Sequence, residues 1–114
     1  MSQDVMPFAL VVRFTVRPGA EAQFDALVAE TVAAIRDSEP ETLVYACHRA
    51  VGEPGRRTFY ELYRDRAAFE MHESMAHTRR FLAEREALLE ATDVEFLSLV
   101  DGRAPVKVTA EFDA

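Results

Sequence analysis

The hydrophobic period of this 114-residue chain changes in one order: two-residue, helical, two-residue twice over, helical, two-residue. Few compact folds accept that order. Phe8 to Arg17 alternates, with Phe8, Leu10, Val12, Phe14 and Val16 on one face and Ala9, Val11, Arg13, Thr15 and Arg17 on the other. Pro18-Gly19 stops that strand. From Ala20 to Ser38, Phe24, Leu27, Val28 and Ile35, with Val32 less regular, make an apolar helical stripe. Glu21 sits in its first turn, where the helix dipole favours an acid, and Pro40 forbids continuation. Thr42 to Val51 and Arg57 to Arg64 read as strands of an antiparallel hairpin, joined by a loop at Gly52-Glu53-Pro54-Gly55. Asp65 is a candidate N-cap for a helix beginning at Arg66. The apolar phase then slips near Ser74, so the spacing predicts a short helix, a break, and a longer helix to Ala91. Asp93 to Asp101 is the last strand.

The predicted fold is therefore α+β, ferredoxin-like, in βαββαβ order, with a four-stranded antiparallel sheet and helices on one face. Residues 1–7 read as an N-terminal extension, 8–101 as the domain and 102–114 as a tail. Val106 to Phe112 alternates again, which suggests an extra strand. The strands are apolar on both faces over much of their length: Val11 beside Leu10 and Val12, Val44 beside Leu43, Leu97 and Leu99 beside Phe96. A sheet face left uncovered would be a large exposed apolar patch. The expected cover is the same face of a second copy, a homodimer, with the tail strand at its interface.

The net charge of −7 argues against nucleic acid or an anionic membrane surface as partner. Cys47 is the one cysteine, which rules out an internal disulfide and a cysteine-based metal cluster. The first residues lack the basic and apolar regions of a signal peptide, and no apolar run reaches the ~20 residues of a membrane span. The expected compartment is the cytoplasm. His72 and His77 are five apart rather than the four that align two imidazoles on a helix, so no metal is expected. The four glycines punctuate turns, and no serine sits in a nucleophile elbow.

His72 shares a helical face with Phe69, and Glu61 and Tyr63 alternate on one face of their strand with Phe59. If these faces meet, His72, Glu61 and Tyr63 converge over an apolar space lined by Leu10, Val12, Phe14 and Phe24, with Phe59, Phe69 and His77 beside it. Apolar walls with a few convergent polar groups are the make-up of a ligand pocket. His72 is suited to proton transfer near neutral pH, Tyr63 to hydrogen bonding a carbonyl or phenol oxygen, and Glu61 to holding the imidazole in one tautomer. The plainer assignments are a satisfied core histidine at 72, a structural histidine at the bend at 77, and packing roles for Tyr63 and Cys47.

The segments F-T-V-R-P-G (14–19), E-T-L-V-Y-A-C-H-R (41–49) and E-L-Y-R-D-R-A-A-F-E-M-H-E-S-M-A-H (61–77) resemble the antibiotic biosynthesis monooxygenase family, in order and spacing. The resemblance spans about residues 8 to 100, and 72–77 is its most specific part. It implies a dimeric α+β barrel that oxidises phenols or quinols with molecular oxygen and no cofactor, with His72 and Glu61 on the family's helix His and strand Glu. Tyr63 stands where a Trp is common, and the chain has no Trp at all. Val12 occupies the position of the Asn of haem-degrading members, which argues against haem, and Thr78 replaces a usual Phe.

The resulting expectation is a cofactor-independent monooxygenase acting with O2 on an aromatic or quinol-type small molecule. An electron-rich phenolate can itself reduce oxygen, so the protein need only bind, deprotonate and exclude water. The alternatives are a non-catalytic small-molecule-binding dimer, and an isomerase or lyase of a small metabolite, which would need more polar groups in the pocket.

Overall fold

The computed structural model describes residues 6–103, and the tail strand expected at 106–112 lies outside them. The elements are β1 (Phe8–Val16), α1 (Glu21–Ser38), β2 (Thr42–Ala50), β3 (Glu53–Tyr63), α2 (Arg66–Ser74), α3 (Ala76–Arg85), a 3₁₀ turn (Glu86–Leu88) and β4 (Leu89–Ser98). The four strands form one antiparallel sheet in the order β2-β3-β1-β4. This is the ferredoxin-like βαββαβ arrangement that the periodicity predicts.

Two stretches of the chain differ most from the sequence reading. The hairpin turn closes at Gly52, with φ of 84°, and β3 begins at Glu53 rather than Arg57. Pro54 is tolerated there because β1 pairs with β3 only as far as Arg56, so Glu53 to Gly55 lie beyond the end of that ladder. The second long helix stops at Arg85 instead of Ala91, and β4 starts at Leu89. The β1 ladder captures this stretch: Arg17 N–H donates to the Leu88 carbonyl at 2.9 Å, and Val16 pairs with Leu89 past a bulge. In a run such as Leu88-Leu89, both buried, periodicity cannot separate helix from strand.

The helices cover the sheet face built from Leu10, Val12, Phe14 and Val16. Phe24 of α1 and Phe81 of α3 close on Phe14 and Phe59 in a ring cluster, with centroid distances of 5.4 to 6.5 Å. At one end Arg57, 3% exposed, holds Asp25 of α1 through two hydrogen bonds of 2.8 and 3.0 Å. That guanidinium lowers the Asp25 pKa and fixes the helix in register with β3.

The opposite sheet face carries a second apolar cluster. Ala9 and Leu62 are buried there, against Leu43, Val44, Tyr60, Leu97 and Leu99. No helix among the described residues lies over it; α1, α2 and α3 pack on the other face. No helix among the described residues is long and apolar enough to cross a membrane.

Candidate active site

The antiparallel register sets the floor of a cavity. Tyr45, Glu61, Leu10 and Phe96 form one cross-strand row, and Cys47, Phe59, Val12 and Val94 the next. All face the helices. Phe69 and His72 of α2 and Thr78, Phe81, Leu82 and Arg85 of α3 supply the roof. The cavity volume is about 170 Å³. Val94 and Phe96, on the outer strand, are largely exposed and form its open side.

Leu10, Val12, Phe14, Phe59, Glu61, Phe69 and His72, all expected from the sequence, line this space. Three expected residues do not. Phe24 is fully buried behind the wall, in the ring cluster with Phe14 and Phe59. Tyr63, on the same sheet face beyond Glu61, is buried against Phe69 and His72, with ring centres 5.3 and 5.2 Å away, and its hydroxyl donates to Glu61 Oε1 at 2.6 Å. His77 lies behind His72, and it meets the cavity only through an intermediary.

That intermediary is Glu39, which the sequence reading missed. It follows α1 and precedes Pro40, and its side chain is 3% exposed. Its Oε1 lies 2.8 Å from His72 Nδ1 and accepts the Thr42 hydroxyl at 2.6 Å, while Oε2 meets His77 Nε2. Burial works against the ionised carboxyl, but the Thr42 hydroxyl and the two imidazoles overcome it and hold Glu39 below the ordinary value. An ionised carboxylate can only accept, so Nδ1 of His72 carries a hydrogen toward it. In the neutral form of the ring the lone pair is then on Nε2, which has no protein partner among the described residues. Glu39, not Glu61, therefore fixes the tautomer of His72. The sequence offers little sign of this, because an acid before a helix-ending proline is usually a solvated one.

The break in the helix makes the arrangement possible. On a continuous helix residues 72 and 77 would point about 140° apart. Met75, with ψ of 146°, instead ends α2 and starts α3, and both imidazoles reach one carboxylate. No group of three or more such side chains among the described residues is placed to hold a metal ion.

Glu61 is the second polar group. Burial, aided by the charges of Glu73 and Glu39, pushes its carboxyl up to about 7 against the pull of the Tyr63 hydroxyl and Arg85. Burial and the adjacent Glu61 push the Tyr63 hydroxyl up, so it stays a donor. Because Glu61 holds its proton more tightly when folded, its contribution to stability is complete below pH 4.5 and is lost as pH rises through about 7. The expected size is on the order of 3 kcal/mol. Urea denaturation of the parent and Glu61→Gln should therefore diverge between pH 4.5 and 8, the parent alone losing stability; parallel profiles would contradict the shift. Cys47, by contrast, is unreactive, its thiol pushed up to about 11 mainly by burial.

The sequence profile described as "Antibiotic biosynthesis monooxygenase" matches residues 7–84. A search of curated proteins finds no match. Among solved structures, PA3566 of Pseudomonas aeruginosa is 27% identical, with a TM-score of 0.77 over 88% of this chain and 100% of its own. Rv0793 of Mycobacterium tuberculosis is 26% identical, with a TM-score of 0.78 over 86% of this chain and 99% of its own. A Caulobacter crescentus protein at 24% identity shares the fold, with a TM-score of 0.81 over 87% and 94% of the two chains. With the profile spanning more than half of its length, this chain belongs to the antibiotic biosynthesis monooxygenase family.

Proposed function

We propose that the chain is a cofactor-independent monooxygenase that oxidises a phenolic or quinol-type small molecule with O2, acting in the cytoplasm as a homodimer. The observation that carries this reading is the orientation of His72. Its Nδ1 is held by an ionised Glu39, and its ring lines an aromatic cavity with Nε2 free to take a proton.

In the proposed reaction a hydroquinone hydroxyl gives its proton to His72 Nε2, and the resulting anion donates an electron to O2. Recombination at a ring carbon and loss of water leave a hydroxyquinone. One oxygen atom enters the ring, the other leaves as water, and the ring supplies all four electrons, so no further reductant is needed. Glu61, titrating near neutrality, is suited to protonate the departing oxygen. Tyr63 positions that carboxyl. Leu10, Val12, Phe14, Phe59 and Phe69 hold the ring and keep water out. Oxygen consumption in air with a panel of substituted hydroquinones tests the reading: uptake above the non-enzymatic rate, with hydroxyquinone formed in equal amount, is expected. Background rates across the panel would refute it and favour a binding protein.

The homodimer rests on the apolar sheet face around Ala9, Leu62, Val44 and Leu97, which the helices leave open. A second copy is the expected cover. Sedimentation equilibrium at micromolar concentration should give twice the 12.8 kDa chain mass; a monomer would end the proposal.

A further inference from the structure

Arg85 ends α3 with its guanidinium carbon 5.0 Å from the Phe14 ring centre and 5.7 Å from that of Phe81. It lines the cavity and is half-buried, and burial draws its pKa below the ordinary value. Several arginines have no carboxylate within 4.0 Å among the described residues: 17, 36, 79, 85 and 103. All except Arg85 are exposed to water, which can satisfy them. Glu61, Glu73 and Glu86 act on Arg85 only from beyond ion-pair distance. A partly desolvated cation without a partner in a cavity wall is a place where an anion gains more than it would in water.

The cavity limits what carries that anion. Its volume of about 170 Å³ is close to the ~150 Å³ that encloses one benzene ring. Phe14, Tyr45, Phe59, Phe69 and Phe81 surround it with ring faces and edges. Its polar groups sit on different walls: Glu61 rises from the sheet beside Leu10, whereas Arg85 reaches over Phe14 from α3.

We propose that Arg85 anchors a carboxylate of the substrate, so that the site takes a single-ring hydroquinone bearing an acid group. The hydroxyl faces His72 and the carboxylate lies on the guanidinium. The assignment of the hydroxyl rests on the monooxygenase reading; the anchor itself is a matter of binding. Glu73, also at the cavity, is exposed and solvated and does not cancel the attraction.

Isothermal titration under nitrogen, using a para-dihydroxybenzoate and its neutral amide, tests the anchor. The parent protein is expected to bind the acid about tenfold or more tightly than the amide. Arg85→Gln should lose that preference while binding the amide as before, and Arg85→Lys should keep part of it. Equal affinity for acid and amide in the parent, equal weakening of both by Arg85→Gln, or no binding of the acid at millimolar concentration would each overturn the proposal. Oxygen uptake on the same samples separates the two readings. Arg85-dependent binding of the acid with no uptake leaves the anchor and removes the oxidation. Uptake with the same kcat/KM for neutral and acidic hydroquinones does the reverse.

Discussion

Replacing His72 by Ala is expected to reduce oxygen uptake by roughly 10²–10⁴-fold, the usual contribution of a positioned general base. The loss should fall on kcat, because the aromatic walls that hold the ring are untouched. Affinity for a hydroquinone under nitrogen should change by less than about threefold, well under the tenfold that 1.4 kcal/mol represents. The variant also removes one donor from a buried carboxylate, which costs about 1–3 kcal/mol if nothing replaces it. Glu39→Gln is the useful companion: it keeps the side-chain shape, removes the charge that fixes the tautomer, and should lower kcat less than His72→Ala. An alanine variant with parental kcat would remove His72 from the mechanism.

Phe24→Ala should be the most destabilising single truncation in α1, at about 3–5 kcal/mol. The ring has no exposed surface and touches Phe14, Phe59 and Phe81, with centroids 5.6, 6.4 and 6.0 Å away. Those neighbours are themselves locked by the sheet and by α3, so the hole cannot close by a simple shift. Against a typical stability of about 5–15 kcal/mol, such a loss leaves little fold at physiological temperature. Phe24→Leu, which keeps most of the volume, should cost less than about 1.5 kcal/mol. Urea midpoints at one fixed protein concentration give both values. A loss below about 1 kcal/mol for the alanine variant would mean that the cluster is not the centre of the core.

The elements that could be read in the sequence are those in which periodicity and punctuation agree. Helix α1 shows its stripe and is closed by Pro40; β1 alternates cleanly and is stopped by Pro18-Gly19. Leu88 and Leu89 suit either element, and long-range pairing with Val16 decides between them. The cavity lining was legible for the same reason as the strands, because alternate residues of β1 and β3 must share a face. Phe24 was misplaced because a helical stripe gives the buried side but not which of its residues reach an empty space. Glu39, Tyr45 and Arg85 were not assigned. Their roles depend on distant chain segments coming together, as between Glu39 and His72, 33 residues apart, and no local pattern records that.

The junction at Met75 has one more consequence. Helical hydrogen bonding stops between α2 and α3, so nothing along the backbone there obliges the two to open together. Both are instead tied to a single acid at the end of α1. Amide protons of α2 and α3 should therefore exchange with solvent as one cooperative unit, despite the interruption. A depressed carboxyl pKa strengthens the fold above the ordinary value near 4.5 and ceases to do so as pH falls through the depressed one. In acid, the roof of the cavity is the part of the molecule that should loosen first, while the sheet beneath it keeps its protection.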